Sequence, residues 1–129
     1  MKHCIIAKFN DSVDDKAAMI TRIDKLFAPA PAMDGIHGCT VLRNCIDREN
    51  RYDLAIIIDM DKAALPAWDA SELHREWKSG FGSYLAAKAI FDFEGSIYRV
   101  QLLIFAQAEI CSTETPVGVH RERFSLKVI

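Results

Sequence analysis

Five residues, Leu54-Ala55-Ile56-Ile57-Ile58, constrain this chain more than any others. Along a strand, successive side chains point to opposite faces of the sheet. Here both sets are apolar. A strand with one wet face alternates apolar with polar, so this one is expected to be covered on both sides. Helices can cover one face of the sheet. Something else must cover the other.

The rest of the pattern supplies the helices and the other strands. Residues 1–10 read as an opening strand, with His3, Ile5, Ala7 and Phe9 on one face and Cys4, Ile6 and Lys8 on the other. Both of its faces also want cover. Ser12 or Asp14 is expected to cap a helix, and Asp14 and Asp15 suit the positive end of its dipole. Met19, Ile20, Ile23, Leu26 and Phe27 then recur at helical spacing. Pro29 and Pro31 end that helix, because proline cannot continue it. A second strand is expected over Ile36–Arg43, a polar turn over Asn44–Arg51 and a third strand over Tyr52–Met60.

From Asp61 the pattern turns helical again, with Leu65, Trp68, Leu73 and Trp77 facing inward and Pro66 in the first turn. Gly80 and Gly82 break it, and Lys88–Glu94 makes a fourth strand. The order β-α-β-β-α-β is that of an α+β, ferredoxin-like fold. Its helices cover one sheet face and leave the second apolar face open. Contiguous exposed apolar area marks an interface. A homodimer joined sheet to sheet is therefore expected, two-fold symmetry being the commonest form of pairing.

At 129 residues the chain can bury one sizeable core. Residues 1–94 are expected to form that domain, with 95–129 as a C-terminal extension that contains a β-strand. In the extension Tyr98, Val100, Leu102, Ile104, Ala106 and Ala108 alternate on one face, and Ser112–Arg123 reads as a loop. The net charge of −2 gives no electrostatic reason to expect nucleic acid or an anionic membrane. No apolar run approaches a membrane span and no secretory signal is visible, so a cytoplasmic protein is expected. Cys4, Cys39, Cys45 and Cys111 show no paired spacing, which favours structural thiols over a metal site. Neither a metal nor another cofactor is expected. His3, almost at the start of the first strand, is placed to sit at the rim of a closed apolar space. There an imidazole titrates near physiological pH and can move protons.

An ordered set of short segments resembles a known family. Lys2-His3-Cys4-Ile5-Ile6-Ala7-Lys8-Phe9, Met33-Asp34-Gly35-Ile36, Arg51-Tyr52-Asp53-Leu54-Ala55, Leu73-His74-Arg75-Glu76-Trp77 and Ile90-Phe91-Asp92-Phe93-Glu94 are similar to the stress-responsive A/B-barrel (Dabb) domains. The match covers residues 1 to about 94, in order and spacing. The resemblance implies a dimeric α/β barrel made of two back-to-back sheets. It also implies a range of functions, from plant stress proteins without assigned chemistry to polyketide cyclases that close an aromatic ring.

In the cyclases a histidine of the first strand and one of the second helix line the cavity, the helix histidine acting as general base. They match His3 and His74. The neighbouring tyrosine of the cyclases falls on Trp68, a further cavity histidine on Leu54, and a second helix histidine of many members on Ser71. His74 and His3 are thus the candidate catalytic pair, and Trp68, Ile5 and Ala7 the candidate ligand-binding residues. Asp92 could orient a histidine, cap the strand end or meet a lysine. His37 and His120 carry little weight.

Two readings of function follow. One is a small-molecule-binding or stress-associated dimer with an apolar small-molecule ligand and no assigned chemistry. The other is a cofactor-free, cyclase- or isomerase-like enzyme acting on a carbonyl-containing small molecule with His74 as base. Abstraction of a proton beside a carbonyl needs a base near neutrality within reach of the substrate. An open pocket with both imidazoles facing it separates these readings from a purely structural role.

Overall fold

The structure, a computed structural model, describes residues 1–95. Four strands, β1 (Lys2–Phe9), β2 (Ile36–Arg43), β3 (Leu54–Met60) and β4 (Leu85–Phe93), form one sheet in the order β2-β3-β1-β4. Every neighbouring pair is antiparallel. Three helices, α1 (Lys16–Phe27), α2 (Leu65–Asp69) and α3 (Glu72–Phe81), pack on one face. The fold is the ferredoxin-like α+β arrangement. Among the described residues no helix is long and apolar enough to cross a membrane.

The core lies between helices and sheet, as the alternation of β1 requires. Ile5, Ala7 and Phe9 are buried there with Leu54, Ile56, Ile58 and Met60 of β3. Met19, Ile23 and Phe27 of α1 close over them with Trp68, Trp77 and Phe81. Phe27 meets the indoles of Trp68 and Trp77 at centroid separations of 5.9 and 5.5 Å. Such aromatic contacts add to the area each ring buries.

Local polar groups move several boundaries from where the pattern put them. Asp15, rather than Ser12 or Asp14, caps α1, accepting from Ala18 N at 3.0 Å. Ser12 is occupied elsewhere, since its amide and hydroxyl both donate to Asn10 Oδ1. β3 begins at Leu54 rather than Tyr52, and just before it the Asp53 carboxylate accepts from Phe9 N at 2.7 Å and Lys16 Nζ at 2.9 Å. β4 begins at Leu85, three residues early, after a 3-10 turn over Gly82–Tyr84. Gly80 does not stop α3, which ends at Phe81. The second helical stretch is two helices divided at Ser71.

Among the described residues the second sheet face carries no helix. Cys4 and Ile6 of β1 lie there between Ala55 and Ile57 of β3 and Ala89 and Phe91 of β4, with Leu42 of β2 alongside. Phe91 is 62% exposed and stacks on Phe93 with centroids 5.9 Å apart. Leu42 and Tyr52 are also exposed. On the helix side the cover stops short of the β4 edge, where Ile90, opposite Ile5, is exposed as well. The expected strand of residues 98–108, the loop after it, Cys111 and His120 lie outside the described residues.

Candidate functional site

Three rings stand in a row on the helix-covered side of the sheet. The His3 and Trp68 centroids are 6.4 Å apart, and those of Trp68 and His74 are 5.3 Å apart. β1 supplies His3, α2 supplies Trp68 and α3 supplies His74. Ser71 fixes the last two relative to each other. Its hydroxyl donates to Trp68 O at 2.7 Å and accepts from His74 N at 3.1 Å, ending α2 and capping α3 with one side chain.

Both imidazoles are held by the same ring atom. His3 Nδ1 is 2.5 Å from Asp92 Oδ1, and His74 Nδ1 is 2.9 Å from the Asp69 carbonyl. A carboxylate and a carbonyl only accept, so each Nδ1 carries the hydrogen. Each neutral imidazole then has a bare Nε2 that can take a proton. Asp92 therefore orients His3, the first of the roles open to it from sequence. Position places it there, since β1–β4 register sets His3 directly opposite Asp92.

Burial differs along the row. His3, expected at a rim, is 4% exposed and lies inside the fold. Apolar neighbours and the partner carboxylate satisfy it there. His74 is half-buried and lines a surface hollow of about 510 Å³ together with Asp69, Ala70, Ser71, Arg75, Lys78 and Ser79. Trp68, fully buried between the two, has no hydrogen-bond partner for its Nε1 among the described residues. Ile5 and Ala7 are packed in the core cluster with it, and neither lines the hollow. Leu54 is likewise buried in that core.

Arg75 and Lys78 were not singled out from sequence. They read as the wet face of an amphipathic helix, and only the break at Ser71 turns that face toward a concavity. His37 sits in a β-bulge of β2 and pairs with Asp61 at 2.8 Å, away from the row. Burial pushes the Cys39 thiol up to about 11, and burial and then the Asp92 charge raise that of Cys4. Neither is an activated nucleophile at neutral pH. Among the described residues no group of three His, Cys, Asp or Glu is placed to hold a metal ion.

No protein-family model matches this chain, and no curated protein matches it. Solved structures do. A dimeric protein of unknown function with a ferredoxin-like fold from Bacteroides fragilis superposes with a TM-score of 0.62 at 16% identity, over 73% of this chain and 94% of that one. A dimeric ferredoxin-like protein of unknown function from Thermobifida fusca gives 0.61 at 21% identity, over 73% and 89%. A Dabb family protein with a ferredoxin-like fold from Mesorhizobium loti gives 0.57 at 12% identity, over 74% and 95%. At these identities the likeness is one of fold.

Proposed function

We propose that this chain forms a sheet-to-sheet homodimer of the stress-responsive A/B-barrel kind, and that each subunit binds an apolar small molecule carrying a hydrogen-bond-accepting oxygen beside Trp68. The dimer is supported by the apolar face that no helix covers among the described residues and by the dimeric state of the Bacteroides fragilis and Thermobifida fusca proteins. The Mesorhizobium loti protein and the sequence resemblance support the family. A role in stress responses rests on that resemblance alone.

The observation that carries the ligand is the Trp68 N–H, which has no partner among the described residues. A buried donor without an acceptor costs about 1–3 kcal/mol. An oxygen delivered by a ligand removes that cost, while the apolar part of the ligand adds burial. Ile5 and Ala7 belong to the same core cluster as Trp68, so a ligand reaches them only by displacing packed side chains.

A second reading is favoured by the two tied-off Nδ1 atoms. A carbonyl oxygen held by the Trp68 N–H would have its neighbouring C–H bond polarised, and the bare Nε2 of His74 is the base that would take that proton; His3, expected to assist, is buried and outside the lining of the hollow. This is the cyclase- or isomerase-like chemistry.

Thermal-shift screening of the full chain against aromatic ketones and phenols tests the binding reading. A ligand at a hundred times its Kd stabilises by about 2.7 kcal/mol. Trp68→Phe keeps most of the volume and removes the N–H. Ligands that stabilise the wild type but not Trp68→Phe are expected. Ligands that stabilise both equally would contradict the reading.

A further inference from the structure

We infer that the hollow beside His74 reads an oxyanion, taking a carboxylate or phosphate group of a small molecule through Arg75 and Lys78. The inference rests on the ligand-binding reading above and narrows its substrate class to anionic compounds.

The first observation is charge without a partner. Lys78 makes no ion pair among the described residues, and Arg75 reaches only Glu72, at 4.0 Å with both side chains largely exposed. Lys2 and Lys16 are tied more closely, to Asp59 at 2.7 Å and Asp53 at 2.9 Å; Lys25 and Lys88 are as free of ion pairs among the described residues, but neither lines this hollow. The second is concavity. At about 510 Å³ the hollow falls within the range of about 300–1,000 Å³ typical of small-ligand sites. The third is spacing. Arg75 and Lys78 stand three residues apart, so they share one face of α3 and can converge on one group, while the Ser71 hydroxyl beside them is already committed to Trp68 and His74.

Two cations face one carboxylate, that of Asp69, within the lining, and the Asp69 backbone carbonyl already holds His74. Arg75 offers a planar fork suited to either oxyanion, and Lys78 adds a mobile point charge. Because the hollow is open to water, its affinity is modest and falls with salt. The bare Nε2 belongs to a residue of the same lining, so an anion seated there brings the rest of its molecule to the candidate base.

Nuclear magnetic resonance titration of the ¹⁵N-labelled full chain tests this at low ionic strength. The probes are inorganic phosphate, benzoate and, as neutral isostere, benzamide. Saturable shifts at Ser71, His74, Lys78 and Ser79 are expected with one or both anions, and their comparison tells a phosphate site from a carboxylate site. Affinity should drop about tenfold in Arg75→Gln/Lys78→Gln, and stay unchanged in Lys25→Gln, a charge loss on α1. Equal binding by the double variant, or benzamide binding as well as benzoate, overturns the inference. If that happens while neutral ketones still bind in a Trp68-dependent way, only the anion inference falls. Anion binding that survives Trp68→Phe, with neutral ligands stabilising wild type and Trp68→Phe equally, leaves it standing and removes the Trp68 reading instead.

Discussion

Asp92 accepts a hydrogen bond from His3 Nδ1 at 2.5 Å, directly across the β1–β4 ladder. The histidine is buried and the aspartate is on the edge strand, with 41% of its side chain exposed. The pair fixes which nitrogen of His3 carries the hydrogen and joins the edge strand to the aromatic row.

Asp92→Ala should therefore destabilise the fold by about 1–2 kcal/mol, because it leaves a buried N–H unpaired. Asp92→Asn keeps an acceptor and should cost less. Urea unfolding midpoints of the two variants measure the difference. An Asp92→Ala protein as stable as the wild type would show that water replaces the carboxylate without loss.

The open sheet face makes a prediction about assembly. Phe91 projects from it, so Phe91→Asp should leave the subunit folded while placing a charge in the dimer contact. Light scattering should give the wild type twice the 14.5 kDa mass of one chain and the variant a single chain mass. A folded wild-type monomer at micromolar concentration would exclude the sheet-to-sheet pairing.

His37 supplies a pH dependence. Its hydrogen bond to Asp61, and then the Asp61 charge, raise its pKa above 6.5. The protonated form is thus favoured in the folded state. Its contribution is fully present below the unfolded pKa of about 6.5 and is lost as pH rises through the higher folded value. In Asp61→Asn the titration midpoint of the His37 ring protons should fall back toward 6.5. A midpoint that stays put would mean that the contact is not made in solution.

Thiol reactivity separates the cysteines. In a Cys111→Ser background, exposed Cys45 should react first with a disulfide reagent at neutral pH. Cys39, with a thiol pushed up to about 11, and buried Cys4 should lag well behind. Equally fast reaction at all three would mean that the sheet opens readily.

Strand alternation and helical spacing are local, and they placed β1, α1 and β2 and the succession of elements along the chain. Polar side chains that act across the chain were less legible. Asp53 and Asn10 read as strand residues, and their side-chain partners at Phe9, Lys16 and Ser12 leave no mark in the pattern. Ser71 reads as a mid-helix serine, and its capping role appears only with the break it makes. In the site, His3, Trp68 and His74 were legible from family resemblance, and the role of Asp92 was one of three left open. The burial of His3 and the hollow at Arg75 and Lys78 depend on how α2 and α3 meet, which no periodicity encodes.

The chain has two tryptophans, so its spectrum should hold two indole N–H resonances, assignable with the single variant Trp68→Phe. Following them while an aromatic ketone that stabilises the protein is titrated in tests the ligand-binding claim most directly. The Trp68 Nε1–H resonance is expected to move downfield and saturate as the oxygen takes its hydrogen bond, while that of Trp77 stays within the spread seen with solvent alone. A ligand that stabilises the protein and leaves the Trp68 resonance in place would contradict that claim.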